Sequence, residues 1–245
     1  MKNRTLFYGE GVFETILWRG RTKRLVRHYE RLKNSANFFQ IPCPDYESFC
    51  KEIEKKVKDK KDLYIKFCLF SKGKDIYYSY PEKKEVLVIV KRYKPDLKPK
   101  MLFISSIKRH SKNPVIYHKT MNYLTNIIAK REALLNSFDD SIMLNEKDEI
   151  TECSSSNIIL LKKDSLLTPA RECGVLLGTT LQVLFGKTQI REERLKVEDL
   201  YKAKAIFITN TLIGVLPVVQ VMDKNYAVAN EVLEDLRQII DEENQ

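Results

Sequence analysis

Hydrophobic positions recur along this chain with two periods, and the switches between them outline its organisation. A turn at Gly9 leads into an extended run ending at Ile16. Leu25, Tyr29, Leu32, Ala36 and Phe39 then fall at steps of four and three, which predicts an amphipathic helix closed by Pro42 and Pro44. Phe49, Ile53 and Val57 predict a second helix at steps of four. The runs Leu63–Phe70, Glu85–Tyr93 and Met101–Ile107 alternate or are rich in β-formers and predict three strands. This part of the chain reads as an antiparallel sheet with helices on one face.

Residues 108–118 are polar and basic and contain Asn113-Pro114, which predicts an interdomain connection. It divides a small α+β domain, 1–107, from a larger α/β domain, 119–245. The larger domain is expected to open with a helix from Thr120 to Asn136. Closely spaced strands follow at Ser141–Asn145, Glu149–Ser154, Asn157–Lys162 and Ser165–Thr168. A helix is expected over Gly178–Gly186, strands over Ala205–Thr209 and Val215–Val221, and a last helix over Glu231–Asp241. The fold class is therefore α/β with an α+β N-terminal part, with no internal repeat and no low-complexity linker.

Composition narrows the function classes. The 245 residues are 43% hydrophobic and 31% charged, as in ordinary globular proteins. The net charge of +10 would suit a nucleic-acid binder or an enzyme of anionic substrates. The lysines are scattered, however, and the densest run, Lys51 to Lys61, is mixed with glutamate like a solvated helix face. Neither a nucleic-acid partner nor a membrane is expected. The five cysteines contain no Cys-x-x-Cys pair, which argues against a disulfide framework and a zinc site; no metal is expected. With no apolar leader and no run of the ~18 apolar residues that a span needs, the expected location is the cytoplasm.

Four segments could carry chemistry. Arg31, in His28-Tyr-Glu-Arg-Leu32, could grip a phosphate with paired hydrogen bonds or be a surface arginine beside a glutamate. Lys119, in His118-Lys-Thr-Met-Asn-Tyr123, is placed to project from a polar connector as a Schiff-base nucleophile and proton carrier, or to be one solvated lysine among many. Glu152 stands among small polar residues in Thr151-Glu-Cys-Ser-Ser-Ser-Asn157, which would let a ligand approach the backbone or form a polar turn. Gly178-Thr179-Thr180 at a helix start, and Thr209-Asn210-Thr211 at a strand end, offer donors to an anion or serve as a cap and a turn.

The order and separation of these segments resemble the fold-type-IV, or class-IV, pyridoxal-phosphate enzymes. The likeness runs from Tyr8-Gly-Glu-Gly-Val-Phe-Glu-Thr15 to Gly214-Val-Leu-Pro-Val218 and includes Glu172-Cys-Gly-Val-Leu-Leu-Gly-Thr-Thr180. It implies pyridoxal 5'-phosphate held as a Schiff base on Lys119, which also moves protons. It further implies Glu152 at the pyridine nitrogen, Tyr123 near the phenolic oxygen, and Arg31, Thr179, Thr180 and Thr211 at the phosphate with Asn210 close by. The resemblance implies a cofactor between two domains and a homodimer whose partner lends a loop. Two features depart from the family: Leu181 stands where many relatives have arginine, and the N-terminus is short where most relatives carry an additional strand before the Gly-Glu-Gly turn, so a trimmed sheet edge is expected.

Within the family, the stretch Ser105–Tyr123, with Asn113-Pro114 before His118-Lys119, is similar to aminodeoxychorismate lyases. D-amino-acid aminotransferases place an Arg-x-His carboxylate trap where this chain has Ile76 and Tyr78, which cannot do that work. The expected reaction converts a small anionic substrate, 4-amino-4-deoxychorismate, to 4-aminobenzoate and pyruvate. Lys108, Arg109 and Lys112 are candidate helpers in binding it. The alternatives are a branched-chain or other class-IV aminotransferase and, disfavoured by the retention of Lys119, Glu152 and Arg31, a basic nucleic-acid-binding protein without enzymatic activity.

Overall fold

The computed structural model describes residues 2–58 and 60–243. The chain forms two compact units that are not contiguous in sequence. The first comprises Met1–Pro95, His118–Tyr123 and Glu243–Gln245, and the second Asp96–Tyr117 and Leu124–Glu242.

The first unit contains β1 (Lys2–Asn3), α1 (Arg4–Tyr8), β2 (Gly11–Trp18), α2 (Lys23–Phe38), α3 (Tyr46–Val57), β3 (Leu63–Gly73) and β4 (Lys83–Arg92). β3 pairs antiparallel with β2 and β4 along nearly its whole length, and with β1 at Lys72 and Gly73. The predicted helix stripes point inward: Leu25, Tyr29, Leu32 and Ala36 of α2 and Phe49, Ile53 and Val57 of α3 join Val12, Ile16, Ile65, Phe67 and Leu69 in one apolar core. The N-terminal edge pairing, expected to be short, is two residues of β1 followed by α1, which the hydrophobic pattern did not signal. α1 ends on Gly9 in the left-handed region (φ 68°), and a Cβ there would lie 2.1 Å from Asn122 Oδ1.

The second unit begins with β5 (Lys100–Arg109), α4 (Leu124–Leu135), β6 (Asp140–Asn145), β7 (Ile150–Cys153), β8 (Asn157–Lys162) and β9 (Ser165–Pro169). It continues with α5 (Thr179–Phe185), β10 (Ile190–Glu193), α6 (Val197–Lys202), β11 (Ala205–Asn210), β12 (Gly214–Val221), β13 (Lys224–Asn225) and α7 (Asn230–Glu242). Its sheet runs β10-β9-β8-β11-β12-β5-β6-β7, with β13 on β12. β5 lies parallel to both β12 and β6, and α4 makes the β5–β6 crossover that a parallel pair requires. Leu181, at the family's arginine position, is 1% exposed in the apolar cluster of α5, β11 and α7, where a guanidinium would find no water.

The structure departs from the sequence reading in three places. The strand at 101–107, assigned with the first sheet, belongs to the second unit. Residues 120–123, expected as the first turn of the helix Thr120–Asn136, form no helix, and α4 starts only at Leu124: Thr120 bridges Val12, Phe13 N–H donates to Lys119 O at 3.0 Å, and Met121 N–H donates to Gly11 O at 2.9 Å. These bonds pair the start of the β2 edge, Gly11–Phe13, and bring 118–123 into the first unit, whereas the sequence division placed 119–123 in the larger domain. Residues 108–118 are equally not a free linker. Ser111 donates both N–H and hydroxyl to Glu146, Tyr117 Oη donates to Ser111 O at 2.7 Å, and Pro114–Tyr117 is a 3-10 turn.

Candidate active site

In the first unit, Lys119 lies on the short extension of β2 just described. His118 anchors this extension by stacking on Phe38 of α2, with ring centroids 4.2 Å apart, and by a contact with Ser35 Oγ at 3.4 Å. The half-buried Lys119 ammonium sits 4.7 Å from the Phe13 ring centroid and 5.5 Å from that of Tyr123, and these two rings meet edge to face. Lys119 and Tyr123, both called from the sequence, are thus brought together, with Phe13 of β2 as the surface beneath them.

Arg31 lies elsewhere in this unit, in a buried ionic group that sequence reasoning missed. Its Nε and Nη2 donate to the two oxygens of Glu14 at 2.7 and 2.6 Å, while His28 Nδ1 lies 2.7 Å from Glu14 Oε2. Glu14 and His28 are almost wholly buried. Burial pushes the Glu14 carboxyl up, but the Arg31 charge and the hydrogen bonds from Arg31 and His28 outweigh it and set the group at about 2. Burial pushes the His28 imidazole below its ordinary value against the opposing pull of Glu14, so at neutral pH a neutral ring donates its Nδ1–H to an ionised Glu14. The carboxylate fixes the plane of the Arg31 guanidinium. The sequence did hold a signal: Glu14 falls in the inward phase of β2 with Val12, Ile16 and Trp18, where a charge must have a partner.

In the second unit, Glu152 ends in a cage of donors. Arg109 Nη1 is ion-paired to its Oε1. Its Oε2 accepts from Leu176 N–H at 3.1 Å and from Asn157 Nδ2 at 3.3 Å. Asn157 also donates to Leu176 O at 3.0 Å and accepts from Gly178 N–H at 2.9 Å, which ties the irregular segment 176–178 to the start of β8. A Cβ on Gly178 would lie 2.2 Å from Asn157 Oδ1. Gly178→Ala is therefore expected to destabilise the protein by about 1–3 kcal/mol through overpacking, read as a lowered urea midpoint with an unchanged slope.

The remaining sequence candidates also lie in this unit. Thr179 and Thr180 open α5, are 2% and 1% exposed, and follow a glycine cap that brings no side-chain oxygen. Thr211 is half-buried in the turn between β11 and β12. Asn210 builds that turn: its Oδ1 accepts from Leu212 and Ile213 N–H, and its Nδ2 donates to Ser156 Oγ at 3.0 Å and Ser155 O at 3.2 Å. The 154–156 loop is pinned from its other side by Ser154 Oγ to Asp140 and by Asn126 Nδ2 to Ser154 O at 2.8 Å. Of the three candidate substrate helpers, Lys108 pairs with Asp148 at 2.5 Å and Arg109 is buried against Glu152. Arg109, expected to help bind the substrate, is engaged with the Glu152 carboxylate.

The class-IV amino-transferase family model matches residues 11–221, which span every one of these positions. The chain belongs to the class-IV aminotransferase family. Its relatives carry two kinds of name. A "Probable branched-chain-amino-acid aminotransferase" of Aquifex aeolicus is 28% identical over 87% of this chain and 76% of its own length. The aminodeoxychorismate lyase of Bacillus subtilis is 28% identical over 89% of this chain and 80% of its own. Among solved structures, a Legionella pneumophila protein provisionally named 4-amino-4-deoxychorismate lyase superposes with a TM-score of 0.92 at 26% identity, covering 98% of this chain and 93% of that one. The two-unit α/β architecture is that of fold type IV, and pyridoxal 5'-phosphate is the family's cofactor. The residues here fit it. A lysine stands on an aromatic surface, a buried carboxylate is held by a guanidinium, and the backbone at Gly178 approaches Asn157 more closely than any side chain would allow. Among the described residues no helix is long and apolar enough to cross a membrane, and no group of side chains is arranged to hold a metal ion.

Proposed function

We propose that this class-IV enzyme is a 4-amino-4-deoxychorismate lyase. The observation that carries the reading is the match to the Legionella protein, which extends over 93% of that chain as well as 98% of this one. The Ile76 and Tyr78 side chains support it by exclusion, since neither can pair with an α-carboxylate as an arginine or histidine would. The net charge of +10 suits a dianionic substrate.

Bound pyridoxal phosphate supplies an aldehyde that condenses with amines and a protonated ring that withdraws electrons. Lys119 Nζ is the amine that holds it, and Glu152 is the carboxylate that keeps the ring nitrogen protonated. Arg31, fixed by Glu14, binds the phosphate together with Thr179, Thr180 and Thr211. Asn210 shapes the turn that would present Thr211, and Tyr123 would serve the phenolic oxygen. With the substrate amine held in its place, the Lys119 Nζ would be free to take the ring proton on the carbon bearing that amine. The C–O bond to the enolpyruvyl group then breaks, the departing oxygen carries the electron pair and is protonated from the Lys119 ammonium, and the ring becomes aromatic. Enolpyruvate tautomerises to pyruvate. We take the enzyme to act in the cytoplasm as a homodimer; sedimentation of the purified protein checks the dimer.

The second reading, a branched-chain aminotransferase, is favoured by the Aquifex relative. Purified enzyme given aminodeoxychorismate alone is expected to release 4-aminobenzoate and pyruvate in equal amounts with no amino acceptor present. Turnover only with glutamate and a branched 2-oxo acid would reject the lyase.

A further inference from the structure

Arg109 is the last residue of β5, and its side chain is 6% exposed. One end of its guanidinium is paired with Glu152 Oε1, while Nη2 donates to Ile116 O at 2.9 Å in the 3-10 turn 114–117. It therefore joins the 108–118 segment to the carboxylate. Leu176 N–H and Asn157 hold the other oxygen, so the carboxylate plane is fixed from three separate parts of the second unit. Neither neutral donor balances a negative charge that has been taken out of water; the guanidinium does. A lysine at 109 would provide charge without the fork that spans Glu152 and Ile116 at once.

We propose that Arg109 is a positioning residue for pyridoxal phosphate, acting through Glu152: it keeps that carboxylate ionised and aimed, and so sets both the protonation of the ring nitrogen and the hold on the cofactor. This rests on the assignment of Glu152 to the ring nitrogen. Arg109 touches neither the substrate nor the reacting atoms in this account, in contrast to its sequence-based role as a substrate helper.

A double-mutant cycle separates action through Glu152 from a general structural effect. Apoenzyme is titrated with pyridoxal phosphate for the wild type, Arg109→Met, Glu152→Gln and the double variant, and the absorbance of the bound cofactor is followed against pH. Arg109→Met is expected to raise the cofactor Kd at least tenfold and displace the absorbance titration in the wild-type background. In the Glu152→Gln background it is expected to change Kd no more than twofold. Arg109→Lys, which keeps the buried charge and protects the fold, is expected to recover part of the affinity while retaining a displaced titration. An equal loss in both backgrounds would overturn the proposal, as would an Arg109→Lys protein with wild-type Kd and titration. If Glu152→Gln alone left Kd and absorbance unchanged, the assignment of Glu152 would fail instead.

Discussion

Lys119→Ala is expected to leave a folded protein that turns over at least about 10³-fold more slowly, because one side chain serves as both covalent anchor and proton carrier. The wild type treated with pyridoxal phosphate and borohydride should carry a stable adduct on the tryptic peptide containing Lys119, seen as a mass shift. The variant should carry none there. The Phe13 and Tyr123 rings and the main-chain bonds from Lys119 to β2 do not depend on the ammonium, so the thermal midpoint should stay near that of the wild-type apoenzyme. An adduct on another lysine together with retained activity would remove Lys119 from its central role.

Glu14→Ala is expected to give the largest loss of stability. It leaves the buried His28 and the mostly buried Arg31 facing a cavity where their shared acceptor had been. Removing one partner of a buried ionic group costs about 3–5 kcal/mol, which for a chain of this size lowers the melting temperature by roughly 10 °C. The same group gives stability an acid limit. The Glu14 carboxyl lies at about 2 in the folded protein against an ordinary 4.5, so its contribution is fully present above pH 4.5 and is lost as pH falls towards 2. A shift of that size corresponds to about 3 kcal/mol. The depressed His28 acts in the same direction, since acid must charge a ring that the fold keeps neutral. Urea unfolding of the wild type should lose this increment between pH 4.5 and 2, and Glu14→Gln should lack that segment of the profile. A wild-type profile flat through this range would refute the account.

The parts of the fold that depend on local period were legible in the sequence. The stripes from Leu25 to Phe39 and from Phe49 to Val57 became α2 and α3 because each helix buries one face against a single sheet. The partnership of strands was not legible. The period of Met101–Ile107 marks a strand but says nothing of whether it joins β4 or β12. Thr120–Tyr123 is as compatible with a helix as with a strand, and the β2 edge, more than 100 residues earlier, decided between them.

The candidate site divides along the same line. No local property set Lys119 apart from the other lysines, and the family resemblance supplied its role. Glu14 could have been found as a charge in the inward phase of a strand. The pairing of Arg109 with Glu152 could not, because the two lie 43 residues apart and only the pairing of β5 with β6, and of β6 with β7, joins them.

The six residues His118–Tyr123 have a consequence for how the chain is made. They pair the start of the β2 edge in the first unit but leave the ribosome only after β5 of the second. The first unit thus emerges with an open strand edge, and closing it requires a contact between residues some 108 positions apart, Val12 and Thr120. Contacts of such separation are slow to form, and an unpaired edge can meanwhile recruit other chains. A chain released before residue 118 would lack both the segment that pairs the start of β2 and the lysine, so fragments of the N-terminal unit should aggregate rather than fold, and the nucleophile is seated by the same late step that covers that edge.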